Sequence, residues 1–199
     1  MDKYGVGQDP YCYPGTDILI NKLNIKNDTS LELAERDLTE IAAESIDFSA
    51  PPYDFSLLKS LHQRLFEDIY TWAGEPRTID ISKGDTRFCV ANRIVPEAQK
   101  LFRQLEVKHW LMDLPKEDLI IEIAEFCGDL NVVHPFREGN GRTLRLLCDF
   151  IVINAGFEVD WSPVDSNLWM QASIDAVICD YRKMNQVFEL CIGDSLPNE

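Results

Sequence analysis

One run of twelve residues, His134-Pro135-Phe136-Arg137-Glu138-Gly139-Asn140-Gly141-Arg142-Thr143-Leu144-Arg145, constrains this chain more than any other stretch. Pro135 disfavours helical geometry at the residue before it, so a helix arriving from the N-terminal side must end by His134. Its imidazole is thereby left at a helix–loop junction. Gly139 and Gly141 admit backbone angles closed to other residues, which lets successive N–H groups turn toward one point. A second helix restarts at about Gly141 and brings its unpaired N–H groups and positive dipole end to the same place. The local fold is therefore helix, tight loop, helix, with an anion site in the turn. The Walker pattern G-x-x-x-x-G-K-[ST] does not occur in the chain.

The side chains of the run suit a metal-bound polyphosphate. Arg142 and Arg145 lie three residues apart, share a helix face and can grip a phosphate chain from one side. Glu138 offers a hard oxygen to Mg²⁺, which keeps several waters and takes further ligands from phosphates. His134 titrates near neutral pH and can accept a proton from an attacking hydroxyl. Phe136 has no polar work to do and is expected to anchor the loop in the core. With a net charge of −15, the surface repels phosphate backbones and anionic lipid, which argues against nucleic-acid or membrane partners. A nucleotide can still bind where Arg137, Arg142 and Arg145 concentrate positive charge. These residues alone do not separate attack at the α-phosphorus from attack at the γ-phosphorus.

The remaining chain predicts an all-α fold with one short β-hairpin, in a single domain spanning residues 1–199. Hydrophobic residues make up 45% of it, enough for a sizeable core. After an N-cap in Asn27-Asp28-Thr29-Ser30, Leu31, Leu33, Ala34, Leu38, Ile41 and Ala42 follow at helical spacing. Pro51-Pro52 breaks the chain. Phe55, Leu58, Leu61, Leu65, Ile69 and Trp72 then form a helical stripe that stops at Gly74. From about 78 to 90 the period changes to two and a Lys83-Gly84-Asp85 turn predicts the hairpin. Helical patterning resumes over about 95–111, 116–130, 141–156 and 166–190. His62 and His109 read as ordinary core or surface histidines. The six cysteines form no C-x-x-C pair and read as reduced thiols rather than zinc ligands. No signal peptide opens the chain, and the apolar run Leu146–Ala155 is too short to span a bilayer, so a cytoplasmic protein is expected.

The run is similar to the signature of the Fic family, His-Pro-Phe-x-(Asp/Glu)-Gly-Asn-Gly-Arg-x-x-Arg, at every specified position. Tyr11-x-Tyr13-Pro14-Gly15-Thr16-Asp17, Trp72-Ala73-Gly74 with Arg77, and Gly84-Asp85-Thr86-Arg87-Phe88 resemble stretches of bacterial Fic proteins of the cell-filamentation type. The resemblance implies a protein adenylyltransferase that moves AMP from ATP to a Ser, Thr or Tyr hydroxyl of a target protein. It implies His134 as general base, Glu138 as Mg²⁺ ligand and Gly139-Asn140-Gly141 as phosphate nest, with Arg142 and Arg145 on the β- and γ-phosphates. The hairpin, through Ile79, Ile81, Thr86 and Phe88, is expected to dock an extended target segment by main-chain pairing. Lys83 and Gly84 are expected at the nucleotide cleft.

Many relatives carry an inhibitory helix with the pattern (Ser/Thr)-x-x-x-Glu-(Gly/Asn). Here Thr71 to Glu75 is followed by Pro76, and Ser195 to Glu199 contains Pro197, which opposes a helix. The resemblance then implies a toxin-type enzyme restrained by a separate antitoxin-like helical protein whose glutamate meets Arg145. It also suggests targets such as a type II topoisomerase subunit. A catalytically inert nucleotide-binding module, transfer of another nucleotide and AMP removal are the competing readings.

Overall fold

The computed structural model describes residues 9–84 and 86–197. Three helices start where a short polar side chain accepts an otherwise orphaned N–H. Asn27 takes Ser30 N–H at 2.9 Å to open α1 (Asp28–Glu44), and Asp54 takes Leu57 N–H at 2.7 Å to open α2 (Phe55–Phe66). Asp165 takes Asn167 N–H at 2.6 Å to open α6 (Ser166–Asp175). The others are α3 (Ile94–Val107), α4 (Lys116–Val133), α5 (Asn140–Asn154) and α7 (Arg182–Cys191).

α4 is apolar on most of its circumference, burying Leu119, Ile120, Ile123, Ala124, Phe126, Cys127 and Leu130 among others. Such a helix has to be the centre of the core, and α3, α5 and α7 pack around it. A second, smaller cluster holds Cys12, Leu19 and Leu31 against Leu65, Phe66, Ile69 and Tyr70. This fastens α1 and the segment before it across the end of α2. The signature run joins α4 to α5 where the two clusters meet.

The expected helical architecture is present, with several differences. The predicted hairpin is cut to two-residue strands, β1 (Ser82–Lys83) and β2 (Thr86–Arg87), paired antiparallel. A second antiparallel pair, β3 (Phe157–Val159) with β4 (Ile192–Ser195), was not anticipated. The stripe that begins α2 outlasts the helix. After Phe66 the chain leaves helical geometry because Lys22 N–H takes the Ile69 carbonyl, seating Ile69 and Tyr70 in the second cluster. The long C-terminal helix is broken at Cys179, whose φ of 58° is left-handed. Asp180 then binds the N–H and guanidinium of Arg182 to start α7.

On α1 the buried positions are Leu31, Glu35 and Thr39, whereas Leu33 and Ile41 of the apolar periodic set are exposed. Two of the three buried residues are polar, which apolar periodicity cannot register. Among the described residues, no helix is long and apolar enough to cross a membrane.

Candidate active site

His134 is the C-cap of α4 in left-handed geometry, φ 48° and ψ 62°, outside the right-handed helical region that Pro135 disfavours at this position. Its Nδ1 lies 3.1 Å from the Asn131 carbonyl oxygen, which can only accept. The proton therefore sits on Nδ1, and Nε2 keeps the lone pair a base needs. Phe88, just beyond β2, stacks on the imidazole at 3.8 Å between ring centroids. Burial under this ring pulls the His134 pKa down to about 4, so the side chain is neutral at neutral pH.

Two buried residues hold the loop from beneath, and neither has a role in the sequence reading. Arg77 donates from Nε to the His134 carbonyl at 2.9 Å and from its terminal nitrogens to the carbonyls of Ile79 and Cys89, while its N–H meets the Pro135 carbonyl at 2.8 Å. One guanidinium thus ties the signature loop to the base of the hairpin. His62 receives the Gly74 N–H on Nδ1 at 2.8 Å, so its Nε2 carries the proton and donates to the Glu138 carbonyl at 3.0 Å. Its ring stacks on Phe136 at 3.8 Å. Burial drives the His62 pKa to about 4.

Gly139 has φ +79°, and a Cβ there would stand 2.2 Å from the Phe66 ring, so only glycine fits. Gly141 differs from expectation. It lies inside α5 without positive φ. The Asn140 side chain closes the loop on itself, accepting from Phe136 N–H and donating to the Phe136 carbonyl, both at 2.8 Å. No side chain caps α5 at Gly139, so its first N–H groups are open to an anion.

A cleft of about 440 Å³ has Glu35, Lys83, Glu138, Arg142 and Arg145 in its walls, whereas His134, Gly139, Asn140 and Gly141 are not among the residues that line it. That volume falls within the ordinary range for small-ligand sites. One Glu138 oxygen takes the Gly139 N–H at 3.0 Å. Arg142 donates to Glu35 at 2.5 Å and to Thr39 at 3.3 Å, with its guanidinium over the Phe66 ring at 4.7 Å. Arg145 has no salt bridge among the described residues. It lies over the Trp169 ring at 5.6 Å, and its Nε reaches its own helix carbonyl at Gly141, 3.4 Å away. One turn on, burial pushes Asp149 up to about 6 against the opposing pull of Trp161 Nε1, 2.5 Å away, and of Arg145.

Other expected contributors are placed differently. Arg137 also borders the cleft but is 2% exposed and ion-paired to Asp9 at 2.6 Å, so its charge braces the N-terminal segment rather than adding an uncommitted cation. Gly84 sits at the hairpin turn and is not among the residues that line the cleft. Of the hairpin residues, Ile81 is buried, Ile79 and Thr86 are half-buried and Phe88 is against His134. His109 is exposed, whereas His62 is fully buried. Cys12, Cys127, Cys148 and Cys191 are buried thiols, but Cys89 is half-buried and Cys179 exposed. Glu199 lies outside the described residues.

With this geometry in view, a sequence model of the Fic/DOC family matches residues 52–152. A probable protein adenylyltransferase Fic of Escherichia coli K12 is 33% identical over 198 residues, covering all of this chain and 99% of that protein. The chain belongs to the Fic/DOC family. Membership at this coverage makes it a protein adenylyltransferase by family. A further relative, protein adenylyltransferase VbhT of Bartonella schoenbuchensis, is 34% identical over 178 residues, 88% of this chain but 37% of that protein. The crystal structure of Bartonella tribocorum BepC with bound AMPPNP superposes with a TM-score of 0.87 at 25% identity, covering 93% of this chain and 97% of that one. An ADP-bound Fic domain from Bartonella quintana gives 0.83 at 27% identity, covering 94% and 95%.

Proposed function

We propose that this Fic-family enzyme transfers AMP from ATP to a side-chain hydroxyl of a target protein, with the reaction at His134. The observation that carries this reading is the tautomer of His134. Its Nδ1 proton is committed to the Asn131 carbonyl, its ring is held by Phe88, and Nε2 keeps its lone pair on the loop that leads into α5. In the proposed step, the target hydroxyl oxygen bonds to the α-phosphorus while Nε2 takes the hydroxyl proton. The bond from the α-phosphorus to the bridging oxygen breaks, and pyrophosphate leaves.

The N–H groups at the start of α5, with Arg142 and Arg145, would hold the phosphates. The nucleotides bound by BepC and the Bartonella quintana domain support a nucleotide in this cleft. Among the described residues no group of three or more His, Cys, Asp or Glu side chains could cage a metal. A single carboxylate beside a phosphate site is the donor set Mg²⁺ accepts, because that ion draws its other ligands from phosphates and water. Glu138 fits this. Its other oxygen is tied to Gly139 N–H, which fixes the carboxylate. Mg²⁺ would supply charge neutralisation there.

The same reading extends to restraint in trans. Arg145 makes no ion pair among the described residues, so it can meet either a γ-phosphate or a glutamate brought by a separate antitoxin-like protein. This is a toxin-type arrangement, with a topoisomerase subunit as one target class. The chain expressed alone in bacteria should then arrest growth, and harmless expression of active protein counts against it.

The experiment for the reaction uses ATP labelled at either the α- or the γ-phosphate, with bacterial lysate proteins as acceptors. Transfer of the α-label alone, lost in His134→Ala, is expected. Transfer of the γ-label, or binding without transfer, would replace this reading with a kinase or an inert module.

A further inference from the structure

Arg142 does not meet the cleft as an independent side chain, because α1 already holds it. Glu35 is buried, with its side chain 10% exposed against 28% for Arg142, and both residues border the cleft. One carboxylate oxygen accepts from Arg142 at 2.5 Å, and the other accepts the hydroxyl of buried Tyr70. Thr39, one turn along α1, receives the second terminal nitrogen of Arg142, and Phe66 supports the flat face. Four residues therefore fix one guanidinium. A guanidinium has five N–H donors, so about three remain for a ligand after Glu35 and Thr39 are served.

We propose that Glu35 is a positioning residue for AMP transfer: by clamping Arg142 against Phe66, with Tyr70 as its own anchor, it aims the remaining N–H groups at the departing pyrophosphate. This rests on the reading of the cleft as the triphosphate site. It also brings α1 into the active site, although the family match begins only at residue 52.

The physical argument separates positioning from attraction. The Glu35 charge cancels part of the Arg142 charge, so the pair does not maximise affinity for ATP. Its benefit is that the donors are already oriented when negative charge builds on the leaving group, with no reorganisation during the step. Positioning therefore predicts an effect on kcat, whereas a carboxylate competing with phosphate would act on KM.

The test measures initial rates of α-label transfer from ATP to lysate protein, giving apparent kcat and KM for ATP. Glu35→Ala should lower kcat roughly 10-fold without raising KM, less than the ~10²–10³ expected when a charge-stabilising donor is removed outright. Glu35→Gln keeps an acceptor for Arg142 and can donate to the Tyr70 oxygen, so it should restore most of the rate. Tyr70→Phe should lower kcat a few-fold, and it carries the test should Glu35→Ala not fold. In an Arg142→Ala background, Glu35→Ala should have no further effect on kcat.

A rise in activity with a fall in KM would make Glu35 a competitor and overturn the proposal. So would an equal loss in the Arg142→Ala background, or unchanged kcat in both Glu35→Ala and Tyr70→Phe. If Arg142→Ala itself transfers AMP like the wild type, the reading of the cleft fails. If Arg142→Ala is impaired and Glu35→Ala is not, only the present inference fails.

Discussion

Arg142 and Arg145 sit one turn apart on the same helix and read alike in sequence, yet the fold treats them differently. Arg142 is ion-paired to Glu35, bonded to Thr39 and seated on Phe66. Arg145 makes no salt bridge among the described residues; it has a long contact to its own helix and lies over the face of Trp169. One guanidinium is part of the scaffold, and the other is available. The pair combines a guanidinium oriented by the scaffold with one that makes no salt bridge among the described residues.

The largest effect that could break this comparison is on rate and stability together. Arg142→Ala should cut AMP transfer by ~10²–10³ and also destabilise the fold by about 1–3 kcal/mol, because Glu35 is left buried without its cation. Arg145→Ala should cost no more than about 1 kcal/mol, having the Trp169 face but no ion pair among the described residues to lose. Urea denaturation of the two variants checks this, and equal losses would erase the distinction.

A somewhat smaller effect sharpens it from beneath. His62 supports the loop that leads into the helix carrying both arginines and must stay neutral to accept the Gly74 N–H. With its pKa near 4 in the fold and 6.5 as the ordinary value, the unfolded chain binds more protons between those limits. Stability from this group is complete above pH 6.5 and is lost as pH falls toward 4, by about 3 kcal/mol in all. Urea titrations across that window should show the slope, and His62→Gln should remove about half of it, the rest belonging to His134, whose pKa also lies near 4. A slope unchanged by the substitution would assign the acid sensitivity elsewhere.

The two loop glycines provide the smallest contrast. Gly139→Ala combines a left-handed backbone with a clash against Phe66 and should cost about 2 kcal/mol or more. Gly141→Ala meets only Trp169 Nε1 at 3.7 Å, within a helix, and should be tolerated in thermal melts. If both variants were equally destabilised, the loop would be shaped differently from the geometry described.

What could be read in advance follows from range. The signature loop was legible because Pro135, the glycines and the arginines act within a few residues of one another. The partners that hold the loop are distant in sequence: Glu35 lies 107 residues from Arg142, and His62 lies 76 from Glu138. No periodicity links such pairs. Glu35 and Thr39 were missed for a further reason, because polar residues on the buried line of α1 look like a solvated face until a buried cation is known to need them. Arg77 stood in a recognisable stretch, but its role is to gather carbonyls, for which sequence has no pattern. The break at Cys179 likewise depends on a residue type that rarely takes left-handed geometry.

The central claim is that a nucleotide lies over the start of α5 with its α-phosphorus on the Nε2 side of His134. A crystal structure of the wild-type chain with Mg²⁺ and AMPPNP tests it most directly. The account predicts phosphates on the N–H groups after Gly139, Arg142 still paired with Glu35, and space for an acceptor oxygen ~3–3.5 Å from the α-phosphorus within reach of Nε2. Phosphates bound away from α5, or an imidazole turned so that Nδ1 faces the ligand, would contradict it.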